Sequence, residues 1–204
     1  ITARNQKLDG LFGQAVTIHP VSQRVNHKYD FVSTALMLAE TDKVVFKGFN
    51  EQYPQPVSVI IDYLPLRIPQ KRTVYFPAEY ADILQETYNE LQIPVAPSEP
   101  PAHKMAEQSD IELSINYADA TALIIIYKYG PDFRLVLSDM LESLEKQEDL
   151  NAIYADLPLD NSATPEHLPI LRGWKFFYCG LAPMFHQESD YLRLQKVNAE
   201  LDLE

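Results

Sequence analysis

Along this 204-residue chain the apolar positions fall at two spacings, one suited to strands and one to helices. QAVTIHP (14–20) reads as a strand ended by Pro20, and VSQRVNHKY (21–29) as a short helix or irregular turn that Ser22 can cap. FVSTALMLAE (31–40) is a second strand. After a polar connection, VSVIIDYLPL (57–66) is a third, rich in β-branched residues and stopped by Pro65. FPAEYADILQETYNELQ (76–92) predicts a helix. Pro77 lies in its first turn, and Tyr80, Ile83, Leu84, Thr87, Tyr88 and Leu91 fall on one face. Residues 93–110 carry four prolines without periodicity and read as a linker.

The second half opens with two strands over 110–130, turning near Asp119. PDFRLVLSDMLESLEKQED (131–149) predicts a helix with Phe133, Leu137, Met140, Leu141 and Leu144 in one stripe. LNAIYADLPL (150–159) is a strand. Residues 160–173 form a short helix capped at Ser162 or Thr164 and closed by Gly173. WKFFYCGLAPMF and DYLRLQKV are then strands around HQES. At the other end, ITARNQKLDGLFG (1–13) reads as the tail of a helix already under way, so the chain is expected to be a piece of a longer protein.

These elements repeat. Residues 14–66 run strand, short helix, strand, connection, strand, and residues 150–197 follow the same order. AVTIHP matches IYADLPL, FVSTALML matches WKFFYCGLAP, and VSVIIDYLPL matches DYLRLQKV, by pattern more than by identity. The expected organisation is a first half over 1–95, truncated at its start, a Pro-rich linker over 96–108 and a second half over 109–204.

Composition narrows the function. With 17 basic and 29 acidic residues the net charge is −12, which repels phosphate and argues against nucleic acid or an anionic membrane as partners. A single Cys excludes an internal disulfide and a multi-thiolate metal site, as suits a reducing, cytoplasmic setting. No apolar run approaches the ~20 residues of a spanning helix, and no signal peptide is visible. The five histidines at 19, 27, 103, 167 and 186 are scattered without partner carboxylates at ligand spacing, so no metal is expected. No nucleophile elbow supports a Ser/His/Asp triad.

The second half resembles the later part of the GNAT N-acetyltransferase fold, in which a strand leads into an acyl-CoA-binding helix, then a strand, a short helix and a closing hairpin. Residues 121–129, 134–147, 150–158, 165–172, 174–183 and 190–197 follow that order, and RGWKFFYCGLAP is similar to the family's Gly-Phe step into its sixth strand. Residues 1–66 follow the same order, entered partway through the acyl-CoA-binding helix. AVTIHPVSQRV, VSVIIDYLPL, TVYFPAEYADILQETYNEL and FFYCGLAPMF…DYLRLQ further resemble a bacterial subfamily of often tandem GNAT regions fused behind an anti-sigma-factor-type serine kinase ATPase domain. The resemblance implies an α/β (α+β) fold: a GNAT-like mixed, mostly antiparallel twisted sheet with flanking helices, in two similar halves. It also implies acetyl-CoA or another acyl-CoA as cofactor, a kinase-like ATPase domain as attached or separate partner, and a homodimer as one mode of assembly.

Three chemical needs follow from the resemblance. A Gly-rich loop at the start of the central helix holds the CoA pyrophosphate on backbone N–H groups, in the pattern Arg/Gln-x-x-Gly-x-Gly/Ala. Here KYGPDFRLVL stands in its place, with Tyr129, Gly130, Phe133 and Arg134 as the cofactor-binding candidates. Pro131 lacks an N–H and Asp132 repels phosphate, so this cradle is degenerate; the first half's cradle is expected before residue 1. The second need is a splay between two strands beside the cradle. The third is a general acid, commonly a Tyr shortly before the Gly-Phe step. Counting back from Asp30-Phe31 gives Asn26 and from Gly173-Trp174 gives Pro169, leaving Tyr29 and Tyr154 as substitutes. His19, at a strand end, is the candidate base, with Asp156 near the equivalent end of the second copy.

GWKFFYCGLAPMFHQESDYLRLQ (173–195) holds the only Trp and the only Cys but reads as core strands, with Cys179 buried and inert. Three functions stay open: a degenerate regulatory or ligand-sensing module of a larger bacterial signalling protein, an active N-acetyltransferase on a protein or small-molecule amine, and a structural dimerisation module.

Overall fold

The computed structural model describes residues 8–42, 53–67, 70–99, 105–147, 149–186 and 188–202. In chain order the elements are β1 (Gly10–Val16), α1 (Pro20–Lys28), β2 (Val32–Thr41), β3 (Val57–Pro65), β4 (Arg72–Val74), α2 (Ala81–Glu90), β5 (Val95–Pro97), β6 (Asp110–Asn116), β7 (Thr121–Lys128), α3 (Phe133–Glu145), β8 (Ala152–Pro158), α4 (Thr164–Gly173), β9 (Phe177–His186) and β10 (Ser189–Val197). Eight strands form one sheet in the order β1-β3-β2-β9-β10-β8-β7-β6. Only β7 and β8 pair in parallel within it, joined by α3 as a parallel pair requires. The expected mixed, mostly antiparallel sheet with flanking helices is therefore present.

Two stretches share one connectivity. In β1–α1–β2–β3 the last strand inserts between the first two, and in β8–α4–β9–β10 it does the same. They meet edge to edge where β2 pairs with β9 at Ala35↔Gly180. Their helices also end alike. Asp30 (φ 62°) follows α1 and Lys175 (φ 68°) follows α4 in the left-handed region. Phe31 N–H then reaches back to Asn26 C=O, and Phe176 N–H to Leu171 C=O, closing both C-termini in the Schellman manner.

This last point corrects the sequence reading. Gly173 does not close α4: it lies in the final helical turn, and the left-handed position falls to Lys175. The partner of Asp30-Phe31 is thus Lys175-Phe176, which moves the acid position from Pro169 to the buried Leu171. Neither Ser162 nor Thr164 caps α4; Thr164 Oγ1 instead donates to the Pro158 carbonyl.

Further expectations also shift. Residues 10–13 are strand, not helix tail, because β3 offers them a full antiparallel partner from Gly10↔Pro65 to Val16↔Val59; residues 1–7 lie outside the described residues. Ile83 is 44% exposed although it shares the helical face of Leu84 and Tyr88, since the helix touches the sheet along a narrower line. Part of the presumed linker is ordered, with β5 pairing in parallel with β4 through Arg72↔Val95 to Val74↔Pro97.

Period-two alternation sorts β7, β8 and β10 between two faces. Ile124, Ile126, Ile153, Ala155, Leu157, Leu192 and Leu194 pack with Leu84, Tyr88, Phe133, Leu137, Leu141 and Leu171 from α2, α3 and α4. The opposite face collects Met37, Ile61, Tyr154 and Cys179, and on it lie two buried charges, Asp156 and Arg193. Among the described residues no helix is long and apolar enough to cross a membrane.

Candidate functional site

The start of α3 is where the resemblance places a cofactor's pyrophosphate, and the chain itself fills that place. Gly130 N–H donates to Ser109 Oγ at 3.0 Å. Ser109 N–H donates to Asp132 Oδ1 at 2.8 Å, which with the Ser109 contacts holds that carboxyl below its usual range. Ala106 N–H takes the Tyr129 carbonyl at 3.0 Å. A Cβ on Gly130 would stand 2.5 Å from the Gln108 carbonyl carbon and the Ser109 nitrogen. The glycine thus serves the close passage of the 105–109 segment. With one N–H engaged, one absent at Pro131 and a carboxylate at the helix entrance, these residues do not fit a pyrophosphate.

Beside this place the β7–β8 ladder stops at Ile125↔Asp156 although the strands run on to Lys128 and Pro158. Past the end of β7 is a hollow of about 430 Å³ lined by Met105, Ala106, Glu107, Lys128, Tyr129, Asn161 and Ala163, so the 105–109 segment borders it.

The remaining candidates do not converge here. Phe133 is buried in the core, and Tyr129 is buried with its hydroxyl against Thr164 Oγ1 at 3.0 Å; burial raises its pKa strongly. Of the four, only Gly130, Phe133 and Arg134 border the neighbouring groove between α3 and α4, and neither His19, Tyr29 nor Tyr154 does. His19 precedes α1 without a capping bond, and Tyr29, 62% exposed, ends the same helix. Tyr154 is buried on the opposite face, donates to the Leu38 carbonyl at 2.8 Å, and has its pKa raised strongly by burial. A phenol so placed is a structural donor, not an acid for a leaving thiolate. Asn26, at the acid position of the first copy, donates to Asp62 Oδ2 at 2.7 Å, and Ser33 Oγ donates to Oδ1 at 2.6 Å. Asp62, which accepts both bonds, is buried.

The most developed polar cluster lies on the opposite face. Arg193 is cross-strand from Asp156 and grips it with two bonds, Nε to Oδ1 at 2.7 Å and Nη2 to Oδ2 at 2.6 Å. His186 Nε2 meets Oδ2 at 2.7 Å. Burial alone would raise the Asp156 pKa, but the Arg193 charge and the bonds from Arg193 and His186 outweigh it and hold the carboxyl below its ordinary range. An ionised carboxylate only accepts, so His186 donates to it through Nε2. Arg193 Nη1 points at Met37 Sδ, 3.3 Å away, and Phe185 covers the guanidinium at 5.0 Å. The sequence reading passed over Arg193 and His186 and took Asp156 for a weak candidate base. The available signal was a charge in the middle of each of two apolar strands, AIYADLP and YLRLQ, because such charges are buried only as partners.

Cys179 has no part in this chemistry. Burial pushes its pKa up to about 12, and its thiol donates to the Leu36 carbonyl at 3.3 Å. Native protein at pH 8 is expected to resist iodoacetamide over hours and to be alkylated within minutes once unfolded in urea; rapid native labelling, read by mass spectrometry, contradicts this burial. Among the described residues no group of three or more His, Cys, Asp or Glu is placed to hold a metal.

No family model and no curated protein matches the sequence. Among solved structures the chain is similar to a ribosomal-protein-alanine N-acetyltransferase from Brucella melitensis, at 17% identity and a TM-score of 0.33. That match covers 46% of this chain and 66% of the other, so the chain spans just under two thirds of that protein. A spermidine/spermine N-acetyltransferase from Vibrio cholerae is similar at 15% identity and a TM-score of 0.34, over 91% of this chain and 93% of the other. A nourseothricin acetyltransferase is similar at 8% identity and a TM-score of 0.31, over 93% and 99%. Similarity at this level identifies neither a substrate nor a reaction.

Proposed function

We propose that this chain is a GNAT-like region that has given up acyl-CoA chemistry in its second half and acts as a ligand-sensing, regulatory module of a larger signalling protein. The observation that carries the reading is the engagement of Gly130 N–H by Ser109 Oγ, with the Asp132 carboxylate at the entrance of α3. A cofactor would have to displace the 105–109 segment, break three hydrogen bonds and place its phosphates against a carboxylate. The buried Asp156–Arg193 pair, with His186 beside it and a hollow over it, is the natural place for a ligand instead. On this reading the kinase-like ATPase domain expected from the resemblance is the partner that receives the signal.

Isothermal titration with acetyl-CoA tests this. The expected result is no saturable binding up to about 1 mM, where a Kd corresponds to only about −4 kcal/mol. A micromolar isotherm weakened by Arg134→Ala overturns the reading. It would support the second one, an active N-acetyltransferase, which the early end of the β7–β8 ladder favours.

A further inference from the structure

The hollow over Asp156 measures about 260 Å³, room for some eight or nine waters at ~30 Å³ each and below the size of most drug-sized sites. Its chemistry is graded along β8. At one end are Arg193 and His186, level with Asp156. Toward the other are Glu40 and Thr121: Thr121 pairs with Ala152, and Asp42, just beyond Glu40, contacts Asn151. At ~3.3 Å per strand residue the two ends lie roughly 7–13 Å apart. Between them Met37, Leu123 and Phe185 give an apolar stretch of wall, with Gln14, Ser114 and Tyr154 also on the lining.

Both ends keep unused hydrogen-bonding capacity. Arg193 commits two of its five N–H groups to Asp156 and points a third at a thioether, a weak acceptor that an oxygen would replace. Among the described residues His186 Nδ1 has no partner, and of the Glu40 oxygens Oε2 alone is bonded, to the Thr41 hydroxyl. A simple anion would meet Glu40 and the −12 field of the chain, and a simple cation would leave Arg193 Nη1 on its weak thioether acceptor. A ligand carrying both charges, separated by methylenes, suits each end and the wall between.

We infer that this hollow binds a linear amino acid whose carboxylate lies against Arg193 and whose ammonium group, at the far end of an aliphatic chain, lies against Glu40. The inference rests on the ligand-sensing reading above and names its ligand class. The ammonium restores to the half-buried Glu40 the solvation that burial removes, and Phe185 and Leu123 cover the stem.

The test is titration calorimetry of the full chain with ω-amino acids from β-alanine to 8-aminooctanoate, with hexanoate and hexylamine as single-charge controls. Affinity is expected to peak at about five or six carbons, where an extended stem spans the two ends. Both controls should bind at least about tenfold more weakly. Glu40→Gln, which removes a charge that burial disfavours and should leave the fold intact, is expected to weaken 6-aminohexanoate about tenfold without changing hexanoate. Equal affinity for hexanoate, an unchanged Glu40→Gln isotherm, or no heat from the whole series at about 10 mM overturns the inference. Those results leave the ligand-sensing reading standing, whereas the acetyl-CoA titration decides that reading without reference to this one.

Discussion

Arg193→Met will destabilise the chain by about 3–5 kcal/mol, because it strands an ionised Asp156 in the sheet. Asp156 has 0% exposure and Arg193 4%, so water cannot replace the lost partner. His186 keeps one bond to Oδ2, which limits the loss without removing it. At ~2–4 °C per kcal/mol for a chain of this length, the melting temperature should fall by roughly 6–20 °C. The pair is not thereby a large net source of stability, since its desolvation cost is of the same order as its attraction. The double variant Asp156→Leu with Arg193→Met, apolar and of similar volume, should recover most of the loss. If urea denaturation shows the double variant no better than the single one, the damage lies in shape and not in stranded charge.

The pH dependence has a definite sign. The Asp156 carboxyl titrates below its ordinary 3.8 when folded, so the folded state binds its proton less readily than the unfolded chain. Its stabilisation is complete above the unfolded value and disappears as the pH falls through the folded one. The stability gap between the native chain and Asp156→Asn should therefore be constant from about pH 5 upward and should narrow progressively as the pH falls below about 4. A gap that widens as the pH falls below about 4 contradicts the assignment.

What the sequence disclosed divides along physical lines. The strands at 110–128 and helix α3 were legible because their periodicity is local and each segment buries its own stripe. The start of strand β1, residues 10–13, was not, because its partner β3 lies some fifty residues away and nothing in LDGLFG itself selects an extended backbone. The Gly-at-C′ rule misplaced the end of α4, where the left-handed residue is Lys175, as tertiary packing of Phe176 sets where the helix stops. At the candidate site the degenerate cradle showed in Pro131 and Asp132. Its occupation by residues 105–109 did not, since that segment has the composition of a linker and acquires its role only through Ser109. The Asp156–Arg193–His186 cluster is a matter of strand register, which no single strand displays.

The seam between the two similar units depends on one residue with no side chain. At Gly180 (φ 156°) a Cβ would overlap the Thr34 carbonyl oxygen and the Cα and Cβ of Ala35. These are backbone and backbone-proximal atoms that cannot swing aside. The strands β2 and β9 make one register pair there, and the neighbouring contacts are made by side chains reaching to backbone. Gln195 accepts from Leu38 N–H at 2.9 Å and donates to the Leu36 carbonyl at 3.1 Å, while Cys179 and Tyr154 donate to the Leu36 and Leu38 carbonyls. Each bond fixes the β2 backbone at the distance set by Gly180, so a strand pushed outward loses them together. Gly180→Ala should cost at least about 3 kcal/mol and Gly180→Val more, in the range reserved for backbone clashes in a packed interior. Gly173→Ala is the matched control: it adds the same methyl at a helical position with nothing within 4 Å, and should gain about 0.5–1 kcal/mol. If thermal denaturation finds Gly180→Ala as stable as Gly173→Ala, the two units do not meet at Ala35 and Gly180, and the wall that Met37 and Glu40 give the ligand hollow must be drawn elsewhere.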